Sequence, residues 1–113
     1  MVSAYTTSFP LTKESILLIN FDSSGNVLWS QSAEGESTNW AESMIATSDG
    51  GFLTIGDANN SLTTLYDIEV IKFNDAGAIE WAGLYAGADS DYSFGVAESR
   101  DGSYIWLYVL LWQ

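Results

Sequence analysis

Histidine and cysteine are both absent from the 113 residues of this chain. Without cysteine the chain has no disulfide, no thiolate metal site and no cysteine nucleophile. Without histidine it lacks the commonest general base and the commonest transition-metal ligand, which excludes a Ser-His-Asp triad and most zinc chemistry. Both absences favour a protein that has no catalytic chemistry of its own.

Basic residues are scarce. Three Lys and Arg residues stand against 15 Asp and Glu residues, which gives a formal net charge of -12. Such a charge opposes binding to a polyanion, so we expect no nucleic-acid partner. The acids are scattered along the chain, as on a solvated, self-repelling surface; a saline habitat and a cation-binding face are the alternatives.

Long hydrophobic runs are also missing. The longest extends from Tyr104 to Trp112, whereas a membrane-spanning helix needs about 20 apolar residues. Residues 1–10 contain neither the basic region nor the apolar region of a signal peptide. We therefore expect neither a membrane span nor a signal peptide in this sequence.

Apolar residues are nevertheless abundant, at 47% of the chain, and 14% of the residues are aromatic. They recur at a fixed offset of 52 residues, with no gap. A period near 50 residues predicts a propeller or a solenoid. The clearest matched positions are Phe21 with Phe73, Gly25 with Gly77, Trp29 with Trp81, Asp49 with Asp101 and Gly50 with Gly102.

Each repeat contains four short β-rich segments, separated by turns that place an Asx residue early and a Gly late. We therefore predict an all-β fold of two consecutive four-stranded antiparallel blades, each an up-and-down meander. The predicted strands are 16–21, 26–31, 40–47 and 52–56 in the first repeat and 68–73, 78–85, 92–99 and 104–111 in the second.

The predicted organisation follows from these strands. Residues 1–9 are the end of a preceding blade's outer strand, 15–56 form the first blade, 57–67 a polar connection and 68–113 the second blade, whose bulky last strand is atypical. Two blades leave two apolar faces bare, so we expect a fragment or a self-associating chain; three copies supply six blades.

The segments Ile16–Asp22, Gly25–Trp29 and Asn39–Gly56 resemble a family of roughly fifty-residue propeller repeats found in secreted and surface proteins of bacteria, archaea and protists. The second repeat matches less fully, through the segments Val70–Asn74, Gly77–Trp81, Asp91–Ser93 and Asp101–Ile105. The resemblance implies a propeller that serves as a display or binding scaffold in an extracytoplasmic parent protein. It implies no catalytic residue.

The spacing Gly-x-x-x-Trp, at Gly25–Trp29 and again at Gly77–Trp81, is also similar to the tryptophan-docking motif of quinoprotein propellers. In that family the tryptophan packs between blades, so the similarity does not imply quinone binding. Recurrence at one position of the repeat likewise favours inter-blade packing for Trp29 and Trp81 over a ligand groove.

Other residues are candidates for ligand contact. Trp40 and Tyr92 adjoin the loop between the second and third strands, where a protein or carbohydrate ligand would reach them. Asp89 and Asp91 carry the oxygen ligands that Ca²⁺ prefers, although no segment has the EF-hand spacing and turn capping is the competing explanation. No other cofactor is indicated.

Three hypotheses about function remain at this point. The chain is a non-enzymatic binding or structural scaffold, a piece of a propeller enzyme (quinoprotein or carbohydrate-active) whose active site lies elsewhere, or a truncated product without a function of its own. The 52-residue period and the absence of His, Cys and catalytic motifs favour the scaffold.

Overall fold

The computed structural model describes residues 2–7, 14–33, 38–59, 66–85 and 91–110, and these ranges consist of strands and the tight turns between them. They contain nine β-strands and no helix. The predicted all-β class is therefore confirmed. In chain order the strands are β1 (Val2–Thr7), β2 (Glu14–Phe21), β3 (Val27–Ala33), β4 (Thr38–Ala46), β5 (Phe52–Asn59), β6 (Tyr66–Phe73), β7 (Ile79–Tyr85), β8 (Asp91–Glu98) and β9 (Tyr104–Leu110).

The strands form three antiparallel meanders, in which neighbours in the chain are neighbours in the sheet. The first sheet contains β1, β2 and β3, the central sheet contains β4 to β7, and the third sheet contains β8 and β9. Each predicted strand lies on an observed one with end differences of a few residues, and the predicted outer strand near residue 1 is β1.

The grouping of strands into sheets differs from the prediction. Residues 57–67 were expected to connect two blades, but the described residues at both ends of this stretch, 57–59 and 66–67, lie in one sheet, because β5 and β6 pair from Phe52↔Phe73 to Asn59↔Tyr66. This pairing joins the apolar residues of both strands into one surface. The chain changes sheet between β3 and β4 and between β7 and β8, so the one four-stranded sheet takes two strands from each repeat.

The strand pairings recur with the same 52-residue offset as the sequence. Val2↔Ile19 in β1–β2 corresponds to Thr54↔Ile71 in β5–β6. The β2–β3 and β6–β7 pairs both shift register at their last step, between Asn20 and Phe21 and between Lys72 and Phe73. The β4–β5 and β8–β9 pairs likewise share an irregularity, at Ala41/Ser43 and Ser93/Gly95.

Strands β5 and β6 of the central sheet are buried on both faces, whereas β7 is largely exposed. On one face, Ile71 and Phe73 of β6 pack against Ile16 and Leu18 of β2. On the other, a cluster of β5 and β6 side chains packs against the third sheet; it consists of Leu53, Ile55, Ile68 and Val70, with Val96 and Tyr104 against it. Because period-2 alternation sends successive side chains to opposite faces, strands such as β5 and β6, which place apolar side chains on both faces, require a cover on each side.

The core predicts a clear contrast between two isoleucines of the central sheet. Ile55 has 0% of its surface exposed and Ile79 has 48%. We expect Ile55→Ala to lower the free energy of unfolding by about 2–5 kcal/mol, through lost burial and a cavity, and Ile79→Ala to lower it by less than about 1 kcal/mol. Urea denaturation of the two variants measures this, and equal losses would contradict the two-sided core.

Candidate functional site

Four hairpin turns of one design lie at the ends of the strands. In each, the first residue's amide donates to the carbonyl of the fifth residue, and the fourth residue's amide donates back to the first, as in Asn74 N–H to Ala78 O at 2.8 Å and Gly77 N–H to Asn74 O at 3.0 Å. The fourth residue has positive φ, between 84° and 87°, at Gly25, Gly50, Gly77 and Gly102. The predicted Gly-late hairpins are confirmed at all four turns.

The Asx side chains stabilise these turns, as the sequence predicted. Oδ1 of Asp22 accepts hydrogen bonds from the amides of Ser24 and Asn26, and Oδ1 of Asn74 does the same with Ala76 and Ala78, all at 2.9–3.0 Å. The side-chain hydrogen bond from Asn26 is the main cause of a lowered pKa at Asp22.

Trp29 docks the first sheet onto the central sheet. Its indole N–H donates to the carbonyl of Asp75 at 3.2 Å, and its ring meets Phe52 edge-on with centroids 5.9 Å apart. A Cβ added to Gly77 would lie only 2.7–3.0 Å from three consecutive carbons of the Trp29 ring. The tryptophan of one sheet thus lies against the glycine turn of the next, at a position where only glycine fits.

Trp81 makes the aromatic part of the same interaction between the central sheet and the third sheet. Its ring lies 6.3 Å from that of Tyr104 in the third sheet, which matches the Trp29–Phe52 pair at an offset of 52 residues. Trp81 nevertheless keeps 41% of its surface exposed. Trp81 therefore has the aromatic contact of the docking arrangement but no described glycine turn beneath it.

A buried lysine lies at the end of the central sheet, and sequence analysis did not single it out. The Lys72 side chain is 2% exposed, and its Nζ lies 3.0 Å from Oδ2 of Asp49 and 3.4 Å from Oε2 of Glu80. Nζ also donates to the carbonyl of Phe73 at 3.0 Å. Burial acts to lower the pKa of Lys72, but the hydrogen bonds and charges of Asp49 and Glu80 outweigh it and raise the pKa.

Asp49 connects this ion pair with the turn between β4 and β5. Hydrogen bonds from the Thr47 hydroxyl, the Gly51 amide and the Lys72 ammonium lower the pKa of Asp49 from 3.8 to about 2. Because the pKa of Asp49 is lower in the folded state than in the unfolded state, Asp49 stabilises the fold above pH 3.8. This contribution is lost as the pH falls toward 2. Asp101, its counterpart in the third sheet, has a pKa lowered chiefly by a hydrogen bond from the side chain of Ser103.

A polar contact joins the central and third sheets. Glu98, the last residue of β8, accepts hydrogen bonds from the amide and the hydroxyl of Ser48, at 2.8 and 2.7 Å. No pattern in the sequence pairs these residues, which are 50 positions apart. The contact fixes the β4–β5 turn of one sheet against the edge of the next.

The central sheet also contains an acid that destabilises it at neutral pH. Burial raises the pKa of Glu69, and its Oε1 has no hydrogen-bond partner among the described residues. The cost of burying this charge is present above the raised pKa and disappears as the carboxyl protonates on lowering the pH. No described group near Glu69 gives it a chemical role.

The predicted ligand-binding and calcium residues are only partly placed. Trp40 lies in β4 opposite Asp57, and Tyr92 lies in β8 opposite Val109; the side chains of both lie outside the described part of the chain. Asp89 lies outside the described residues, and Asp91 begins β8 with its side chain likewise outside them. The described residues contain no cluster of three or more acids that could hold a metal ion.

No protein-family model matches the chain, and no curated protein matches it. None of the described residues forms a helix that is long and apolar enough to span a membrane.

The docking contact can be isolated with two glycines of similar φ, Gly77 and Gly102. An alanine at each incurs the same left-handed strain of about 1–2 kcal/mol, but only at Gly77 does it also meet the Trp29 ring. We expect Gly77→Ala to cost about 1–3 kcal/mol more than Gly102→Ala. Combining it with Trp29→Ala should remove that excess in a double-mutant cycle of unfolding free energies.

The acidic turn gives a pH prediction. The hydrogen bond from the Thr47 hydroxyl is the largest single cause of the lowered pKa of Asp49, and Lys72 contributes both a hydrogen bond and its charge. We therefore expect Thr47→Val and Lys72→Met each to raise this pKa toward 3.8, and a carboxyl ¹³C NMR titration of Asp49 measures both. An unchanged pKa in Thr47→Val would show that the ion pair, not the turn, keeps the carboxyl deprotonated.

Proposed function

We propose that this chain is a non-enzymatic scaffold segment of a β-propeller-like array, in which four-stranded sheets of one pattern stack face to face. Its biochemical activity is binding through these sheets and their loops. The observation that carries the proposal is the repeated docking pair: Trp29 with Phe52, and Trp81 with Tyr104, each join one sheet to the next at the same register.

The strand pairings support the same interpretation. Equal registers and equal bulges at a 52-residue offset are what repeated structural units produce. The first strands of the central and third sheets, β4 and β8, contact each other. In a propeller the sheets radiate from a central channel and bring their innermost strands together.

The residue chemistry supports a scaffold over an enzyme. The described acids with lowered pKa values cap turns or pair with Lys72. The chain contains no histidine or cysteine that could act as a general base or as a thiolate nucleophile. The turns instead supply rigid hairpin ends, which are the usual sites of recognition on such scaffolds.

The proposal predicts that the array can be lengthened. Residues 34–85 comprise the connection from the first sheet to the central sheet and the four strands of the central sheet, β4 to β7. Inserting a second copy of them after Tyr85 adds one four-stranded sheet and places a glycine turn beneath the original Trp81. Because stability in repeat proteins grows with each interface, we expect a single cooperative thermal transition by circular dichroism, at a higher temperature than in the parent chain.

A matched control carries the same insertion with Gly77→Val in the inserted copy only, which blocks the new docking contact. It should lose the gain in melting temperature. An inserted chain that melts no higher than the parent, or in two separate transitions, would contradict the proposed array.

A further inference from the structure

Three surface features of this chain each lack a described partner for a contact that is made elsewhere in the fold. Trp81 has its aromatic partner Tyr104 but no described glycine turn beneath it. The space beside the Gly25 turn contains no described atom, since a Cβ added to Gly25 would meet none within 4 Å. The strand β9 pairs with β8 on one edge and with no described strand on the other.

The internal interface shows how these surfaces fit. Within the chain, β5 pairs with β6, and the turn that follows β6 receives Trp29 of the preceding sheet. Moving this arrangement forward by 52 residues places a strand like β2 beside β9 and a turn like that of Gly25 against Trp81. Two described segments have that strand and turn in succession, β2 to β3 and β6 to β7. In the second of these the turn already receives Trp29, so β2 to β3 of a second copy is the segment that can provide the contact.

We propose that the chain associates head to tail with a second copy of itself, β9 of one copy pairing with β2 of the next and Trp81 docking on the partner's Gly25 turn. The inference rests on the proposed stacking of like sheets. The result is a four-stranded sheet made of β8 and β9 from one copy and β2 and β3 from the other, with the strand order of the central sheet.

The pairing requires β9 to replace β1 on β2, because both strands occupy the same edge. β1 pairs with β2 over six residues, from Val2↔Ile19 to Thr7↔Glu14. The β5–β6 register, shifted by 52, pairs β9 with β2 from Tyr104↔Phe21 to Leu110↔Ser15 and covers the end of β2 that β1 leaves open. A strand edge that no described strand pairs with, such as that of β9, is a template for this exchange.

Each chain then contributes two four-stranded sheets to the assembly. The interface is heterologous, so it closes into a ring only if the rotation between copies permits. Closed propellers hold about 4–8 sheets, which corresponds to rings of about two to four chains. Sedimentation equilibrium of the 113-residue chain should give one such discrete mass, and a monomer at all concentrations up to about 100 μM would overturn the proposal.

Two glycine variants test the contact itself. Gly25→Ala places a methyl group where the partner's Trp81 ring docks, while Gly102→Ala incurs the same backbone strain away from it. We expect Gly25→Ala to weaken association about 10- to 100-fold, and Gly102→Ala to leave it near that of the parent chain. Equal association of the two variants would overturn the proposal.

Mixing variants tests the head-to-tail geometry. A Trp81→Ala chain keeps an intact Gly25 turn, and a Gly25→Ala chain keeps an intact Trp81. Each alone should associate weakly, and an equimolar mixture should form a one-to-one complex through the remaining intact pair. With both variants folded by circular dichroism, a mixture that associates no better than its components would rule out this interface.

The strand exchange has its own readout. Leu17 pairs with Ala4 of β1 within the chain, and the shifted register pairs it with Tyr108 of the partner. In a chain without native cysteine, Leu17→Cys with Tyr108→Cys should form a disulfide between copies on oxidation. If only Leu17→Cys with Ala4→Cys forms a disulfide, within one chain, β1 is not displaced. Stabilisation by the inserted repeat combined with a monomeric parent chain would overturn self-association alone and leave the proposed array intact.

Discussion

A sheet that is apolar on both faces cannot be stable in water by itself, and this constraint governs the structure. The central sheet of β4 to β7 lies between two others, with Phe73 packed toward the first sheet and Ile55 toward the third. Burial of this kind contributes about 1.5–3 kcal/mol for each large side chain. Both outer sheets are therefore required for the stability of the central sheet, because each covers one of its apolar faces.

Hydrophobic cover alone does not determine how two sheets are aligned, and the docking of Trp29 adds that information. A tryptophan in one sheet, a glycine turn in the next and a carbonyl that accepts the indole N–H specify both the distance and the position along the strands. The Ser48–Glu98 contact specifies the next interface with polar groups. Directional contacts of this kind select one stacking arrangement among the many that apolar faces would allow.

The strands and turns were predictable from the sequence because their causes are local. Asp22 and Asn74 each open a turn that ends with a glycine of positive φ, and the alternation of apolar residues marks the strands between. The partition into sheets was not predictable, since a polar connection such as 57–67 has the same composition whether it joins two strands of one sheet or two sheets. The burial of Lys72 was also hidden, because its partner Asp49 is 23 residues away and β5–β6 pairing brings them together. For Trp29 the repeat indicated packing between sheets, and the structure identifies the glycine that receives it.

Trp29 lies against Gly77, and the α protons of Gly77 report on this contact directly. Three consecutive ring carbons face the position that a side chain would take, so ring-current shielding should move one Gly77 α proton upfield and give it strong nuclear Overhauser contacts to the Trp29 ring. Gly102, with open surroundings and similar φ, is the internal reference. An upfield Gly77 resonance beside an ordinary one for Gly102 is the predicted result. Indistinguishable α-proton shifts for the two glycines, with no contact from Gly77 to Trp29, would contradict the docking of the first sheet on the central sheet.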